Sequence, residues 1–315
     1  MSYTAANLRR KMPYEITDRT AFPNSAIVYV EVQYRDGFRA RGSGTIVGVN
    51  DVLTAMHVVY QPDHGGWATG IFVSPGADTS PLQKPYGTFT DWGQIDSRTT
   101  NWDSNGDRML YDSEAQWDIA VIGMRSPIGY TTGWLGLESQ PSDFTGTMVG
   151  YPKSGAGMMA ESVYADASAS YGVYDIDGDL GPGASGGPLL YESGGSTYVA
   201  GVLSSGNGIE STYAGLFGTG TWDWLIGVIA ANDDLIAGTP SAAITGSPAA
   251  DTLFGDALAN TIAALDGNDW IKGGFGNDII DGGNGIDIAV FTGARSSYIV
   301  SIGPMTVAVT DTAAG

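Results

Sequence analysis

Short apolar, β-branched runs separated by glycine and aspartate turns fill the first 235 residues of the chain. Ala26-Ile-Val-Tyr-Val-Glu-Val-Gln-Tyr34 alternates in the manner of a half-buried strand, and Arg35-Asp-Gly37 supplies a turn into a second one. Arg41-Gly-Ser-Gly-Thr-Ile-Val-Gly-Val-Asn50 then leads through Asp51 into a strand expected to carry His57. The stretch from His57 to Asp118 is rich in Asp, Asn, Trp and Gly and reads as a long insertion. Further β runs follow, among them Thr147 to Tyr151 and Tyr198 to Gly206. Only Thr221-Trp-Asp-Trp-Leu-Ile-Gly-Val-Ile-Ala230 has apolar positions three and four apart, which predicts a helix with Thr221 as its cap.

A different pattern begins after residue 245. Asp251, Asn260, Asp269, Asp278 and Asp287 stand nine apart, each followed two positions later by Leu253, Ile262, Ile271, Ile280 or Ala289. A linker has no reason to hold phase over five repeats. The period predicts a coil in which each apolar residue turns inward from a short strand while glycines allow the tight turns between. The expected organisation is therefore a polar arm over 1–20, a first domain over 21–237, a linker over 238–245, a repeat array over 246–290 and a β segment over 291–315.

Composition narrows what such a chain can do. Thirty-four acids against fourteen bases leave a net charge of −20, which disfavours nucleic acid and anionic membranes and makes divalent cations the natural counter-charge. With no cysteine, disulfides and thiolate metal sites are impossible. No apolar stretch follows Arg9, Arg10 and Lys11, and no later run reaches membrane-spanning length, so neither an N-terminal signal peptide nor a membrane span is expected.

The candidate chemistry centres on Gly181-Pro-Gly-Ala-Ser-Gly-Gly-Pro188. A serine hydroxyl needs a base to take its proton and amide donors to hold the developing oxyanion, and glycines beside Ser185 suit the second need. Alone, the segment is equally well an ordinary glycine-rich turn. With two histidines in the chain, a base for Ser185 is His57 or His64, and His57 lies in the apolar run Leu53 to Val59. Asp118 heads Ile-Ala-Val-Ile122, a charge at the mouth of a core strand that is costly without a partner.

In the order His57, Asp118, Ser185, these motifs resemble the trypsin-like serine peptidases, and Ile16 to Val28 is similar to the start of the bacterial glutamyl-endopeptidase branch. The resemblance implies an all-β fold of two barrels with a C-terminal helix. It also implies a protein or peptide substrate cleaved through an acyl-enzyme. His57 would be the base, Asp118 its orienting acid, Ser185 the nucleophile, and the N–H groups of Gly183 and Ser185 the oxyanion hole. Asp179, with Ser204, Gly206 and Gly215, would line the specificity pocket; an acid six residues before the serine marks members that cleave after Arg or Lys. The rival preference is Glu, which the branch reads with a pocket histidine, but Leu203 and Ser204 occupy the expected positions. A catalytically silent adhesion module on the same fold is the alternative from another class.

The nonapeptides resemble RTX calcium-binding repeats of the parallel β-roll type. That resemblance implies Ca2+ held by Asp269, Asp278 and Asp287 with the turn glycines Gly273, Gly276, Gly282 and Gly285, and export by type I secretion machinery to an extracellular address. A second acidic loop places Asp103, Asn105, Asp107 and Glu114 at EF-hand-like spacing, though Arg108 stands where that loop wants glycine and a solvated loop is the favoured reading.

Overall fold

The structure is a computed structural model that describes residues 12–79, 82–101, 110–155, 157–236, 244–254, 260–273, 278–291, 298–302 and 307–311. The chain divides into two compact units, Met1–Gly238 and Thr239–Gly315. Among the described residues no helix is long and apolar enough to cross a membrane.

The first unit is built on two antiparallel sheets. One has six strands in the order Trp92–Ser97, Ala120–Met124, Asp51–Thr54, Arg39–Ile46, Ile27–Gln33 and Gly70–Pro75. The stretch expected to be an insertion thus contributes two strands of this sheet, both of which carry too few alternating apolar positions to announce themselves. The other sheet closes on itself: Val173–Ile176 pairs both with Met159–Ser168 and with Ser211–Gly215. Between those edges run Phe144–Gly150, Pro188–Ser193 and Ser196–Gly206. One apolar cluster joins Val28, Val30, Leu53 and Ile122 of the first sheet to Val149, Leu190, Val199 and Val202 of the second. A second cluster, with Met148, Val163, Leu189 and Tyr213, fills the closed sheet. Burial of this kind stabilises by roughly 25 cal/mol per Å².

Three local expectations are corrected. His57 lies not on a strand but on the single helical turn Met56–Val59. Within the expected arm, Tyr14 and Glu15 pair with Ala160 and Met159. Helix Thr221–Asn232 forms, but its cap residue is Gly220 in left-handed conformation, and the Thr221 hydroxyl instead accepts from Arg98 Nη1 at 2.7 Å. At its other end the helix is tied down by Asn50 Nδ2 to Asn232 O and Asn232 Nδ2 to Asp51 Oδ1, each 2.8 Å.

In the second unit, Ile244–Thr245, Thr261–Ala263 and Ile279–Asp281 form one parallel sheet, and Thr252–Phe254, Trp270–Lys272 and Ile288–Ala289 form another. Partners are eighteen residues apart, as in Thr252 with Trp270 and Thr261 with Ile279. Two nonapeptides therefore make one coil, and each repeat stacks on the repeat after next. Ile262, Ala264 and Ile271 form the dry centre, with Ile244, Leu253 and Ile280 packed on it. Ala289 is exposed at the end. Ile244 and Thr245, inside the expected linker, already pair as part of the coil; residues 237–243 lie outside the described residues. Tyr298–Ile302 and Val307–Asp311 pair antiparallel in the final segment.

Candidate active site

Asp118 precedes strand Ala120–Met124 and is wholly buried. A carboxylate in that position needs hydrogen-bond donors to remain charged. It has three. The His57 backbone N–H donates to Oδ1 at 2.8 Å, His57 Nδ1 lies 2.6 Å from Oδ2, and Ser204 Oγ donates to Oδ2 at 2.7 Å. Burial on its own would lower the His57 pKa, but the Asp118 charge and hydrogen bond outweigh it and hold the imidazole above its ordinary value. About a fifth of the His57 side chain stays exposed, at 19%.

The Ser185 loop docks beside this pair. A Cβ on Gly42 would come within 2.8 Å of the Val58 side chain and 3.0 Å of the Ser185 carbonyl oxygen, so one glycine separates the two segments. Gly186, at φ +82°, presses on Thr54 and Ala55, immediately before the turn that carries His57. Ser185 itself is partly exposed.

Every carbonyl oxygen from Gly181 to Ser185 is held. They accept in turn from Ala184 N at 3.1 Å, Lys153 N at 2.7 Å, Ser43 Oγ at 3.0 Å, Gly187 N at 2.9 Å and Ser43 N at 2.7 Å. Across a trans peptide the N–H points opposite to the C=O. Anchoring the Pro182 and Ala184 carbonyls therefore turns the N–H groups of Gly183 and Ser185 away from those anchors, and among the described residues neither has an acceptor. Gly183 adopts φ +101°, and a side chain there would meet Tyr151 O at 2.8 Å. The result is a pair of amide donors flanking a hydroxyl, which is the arrangement that stabilises a tetrahedral oxyanion.

The pocket residues are distributed differently from the expectation. Ser204 is buried on Asp118 rather than facing a substrate side chain. Gly215 is buried, and a Cβ there would meet Gly172 O at 2.9 Å and the Phe217 ring, so it faces the sheet interior. Asp179 is half-buried with both oxygens engaged, Oδ1 by Gly181 N and Oδ2 by Gly208 N, each at 2.7 Å. It ties two loops together instead of standing as an open acidic floor. Gly206 remains at the rim against Asp179. Behind these loops lies a wholly buried acid that sequence reading missed: Glu161, whose Oε2 would be 3.5 Å from a Cβ on Gly178. Its signal in the sequence, one acid in Met-Ala-Glu-Ser-Val, is that of any strand with an exposed face.

In the second unit, Asp269 Oδ1, Asp278 Oδ1 and Asp287 Oδ1 accept the N–H of Asp251 at 2.8 Å, Asn260 at 3.0 Å and Asp269 at 3.0 Å. One oxygen of each acid thus secures the coil below. Among the described residues Asp269 Oδ2 is buried with no partner, and such an oxygen fits a hard cation. A side chain at Gly273 or Gly282 would collide with the Oδ2 of Asp278 or Asp287, and Gly285 lies at φ +137°. Gly276 lies outside the described residues, as do Asp103, Asn105 and Asp107. Glu114 is buried and takes part in a capping box with Tyr111 at the start of helix Asp112–Ala115.

Residues 42–198 match the model of the trypsin-like peptidase domain, and residues 254–289 that of the RTX calcium-binding nonapeptide repeat. The chain thus carries a trypsin-like peptidase domain followed by an RTX nonapeptide array, in a two-barrel fold of the chymotrypsin kind. It is 31% identical over 142 residues to the extracellular metalloprotease of Bacillus subtilis (strain 168), covering 44% of this chain and 42% of that one. It is 28% identical over 205 residues to the glutamyl endopeptidase of Bacillus licheniformis, covering 64% and 59%. The matched region spans about half the length of these relatives. Among solved structures, a Glu endopeptidase in complex with MPD aligns at TM-score 0.56 and 18% identity, over 69% of this chain and 96% of that one. The protease Anisep from Arthrobacter nicotinovorans aligns at TM-score 0.54 and 22% identity, over 66% and 96%. At these identities the structural likeness establishes the fold.

Proposed function

We propose that the protein is a serine endopeptidase, with His57 as general base and then general acid, Asp118 holding its tautomer, and Ser185 attacking the peptide carbonyl. The tetrahedral oxyanion would be received by the N–H groups of Gly183 and Ser185, and the acyl-enzyme hydrolysed by the reverse sequence of proton transfers. The observation that carries the reading is the Ser204–Asp118–His57 hydrogen-bonded chain set beside a serine loop with two unused amide donors. The test is labelling by a fluorophosphonate together with casein hydrolysis. Both should disappear in Ser185→Ala, and labelling that persists in the variant overturns the assignment. Casein hydrolysis also separates this reading from a silent adhesion module.

The Bacillus subtilis relative bears the name metalloprotease, which suggests a second chemistry. The donor set here does not favour it. Both histidines of the chain have Nδ1 on a carboxylate, His57 on Asp118 at 2.6 Å and His64 on Asp36 at 2.8 Å, and there is no cysteine. Activity that resists the fluorophosphonate would restore the metal reading.

For the residue before the cleaved bond, the acids Asp179 and Glu161 behind the pocket loops favour a basic over an acidic side chain, and no histidine is left to receive a carboxylate. The glutamyl endopeptidase relative supports the opposite preference. Digestion of a peptide library decides between them, and cleavage after Glu overturns the basic reading.

Asp269, Asp278 and Asp287 with the neighbouring glycine turns would hold Ca2+, which supplies positive charge between stacked carboxylates and couples cation binding to coil formation. Thermal unfolding with calcium and with chelator tests this; an unchanged transition for the second unit refutes it. The RTX array and the extracellular relative together support an extracellular address reached by type I export.

A further inference from the structure

Five anchors hold the carbonyls of the nucleophile loop, and two of them belong to one residue outside it. Ser43 lies in strand Arg39–Ile46 of the first sheet and is wholly buried. Its backbone N–H holds the Ser185 carbonyl at 2.7 Å, and its hydroxyl donates to the Gly183 carbonyl at 3.0 Å while accepting from Tyr151 N at 2.8 Å. Its own carbonyl accepts from Thr54 Oγ1 at 2.7 Å, within three residues of His57. Among the described residues every other bond to the loop carbonyls comes from a backbone amide, so the Ser43 hydroxyl is the one side-chain donor to them, while Asp179 holds the loop's first amide, Gly181 N.

We propose that Ser43 is a positioning residue for the reaction: its hydroxyl fixes the 183–184 peptide on one side of Gly183 while Lys153 N fixes the 182–183 peptide on the other, and the two together lock the Gly183 turn with its N–H aimed at the oxyanion before substrate arrives. Gly183, at φ +101°, has no side chain to resist rotation of either adjoining peptide. Without the hydroxyl, the 183–184 peptide keeps only the longer Ala184 N bond to the Gly181 carbonyl, at 3.1 Å, and the left-handed turn can relax into a form whose 182–183 amide no longer faces the cleft. The loss falls on the transition state, because the ground-state carbonyl makes little demand on those donors. Cross-barrel attachment also explains why a small hydroxyl residue stands between two glycines in a buried strand, where packing alone would favour an apolar side chain.

The inference rests on Ser185 being the nucleophile, and the experiment separates the two. Wild type, Ser43→Ala and Ser43→Cys are compared after active-site titration, so that unfolded protein does not count. Ser25→Ala, which removes another buried hydroxyl-to-carbonyl bond, is the structural control. Removing an oxyanion donor outright costs about 100- to 1000-fold in kcat. Ser43→Ala, acting at one remove, is expected to lower kcat about 10- to 100-fold with KM little changed. The affinity of a peptide aldehyde, which mimics the tetrahedral state, should fall by the same factor as kcat/KM. Ser43→Cys, a weaker donor, should lie between, and it serves alone if the alanine variant does not fold. Ser25→Ala should lose stability without loss of kcat. If wild type resists fluorophosphonate, the serine-peptidase reading fails. If wild type is labelled and the Ser43 variants keep kcat and aldehyde affinity within about twofold, the role of Ser43 is refuted.

Discussion

Ser204 donates to the same carboxylate oxygen of Asp118 that faces the His57 imidazole, so two residues 86 positions apart are joined by a 2.7 Å hydrogen bond in a site closed to water. A hydrogen bond to a buried charge contributes about 1.5–3 kcal/mol. Ser204→Ala is expected to destabilise the first unit by that order in urea unfolding and to lower kcat/KM. A variant as stable and active as wild type would show the bond to be idle.

The His57 imidazole is held above the ordinary value of 6.5 because the Asp118 charge and hydrogen bond outweigh burial. The base form is the neutral one, so the rising limb of kcat/KM against pH should have its midpoint above about 6.5. Asp118→Asn should move the limb to lower pH and reduce kcat by about 10⁴. In stability the sign is opposite. The raised pKa favours the fold below the unfolded value, and the gain is lost as pH rises through the folded one.

Asp51, wholly buried where helix Thr221–Asn232 docks, is pushed up to about 7, first by burial and then by the Asp233 charge, against the Asn232 hydrogen bond. The unfolded chain ionises this group near 3.8 and the folded one near 7. Stability should therefore fall as pH rises from about 4 to about 7, by roughly 4 kcal/mol at most from this group. Asp51→Asn, which keeps an acceptor for Asn232 Nδ2, should flatten that slope. An unchanged slope in denaturant midpoints from pH 4 to 7 would remove Asp51 as its cause.

Leu265 has φ +77°, alone among the described non-glycine residues in being left-handed, and its carbonyl lies under Gly283 of the next coil. The repeat puts glycine at the equivalent position 283, and a left-handed backbone costs an L-residue roughly 1–2 kcal/mol. Leu265→Gly should raise the melting temperature of the second unit in calorimetry with calcium present. A lower value would mean that the Leu265 side chain contributes more than its backbone costs.

Motifs whose chemistry is local were legible along the chain. The period of nine is visible because each coil repeats the same demand for glycine and an acid, and Ser185 is visible because its glycines cluster within eight residues. His57 and Asp118 stood out because a polar residue at the edge of an apolar run is costly alone. The strands Gly70–Pro75 and Trp92–Ser97 were hidden, since they complete a sheet whose hydrophobic pattern is carried by its other members.

Residue order therefore sets the inventory here: a base, an acid, a nucleophile, turn glycines and a phased array, each written in a few neighbouring letters. Folding settles which of them meet. The family resemblance puts Ser204 in the specificity pocket, and its hydroxyl lies on Asp118; the same resemblance makes Asp179 an acidic floor, and it fastens two loops; nothing in its neighbouring letters marks Ser43, which holds the nucleophile loop from the other sheet. Each of those outcomes is a hydrogen bond made by a small polar group once water has been excluded. Its partner is chosen by the distance between segments far apart in sequence, a quantity that spacing and composition do not contain.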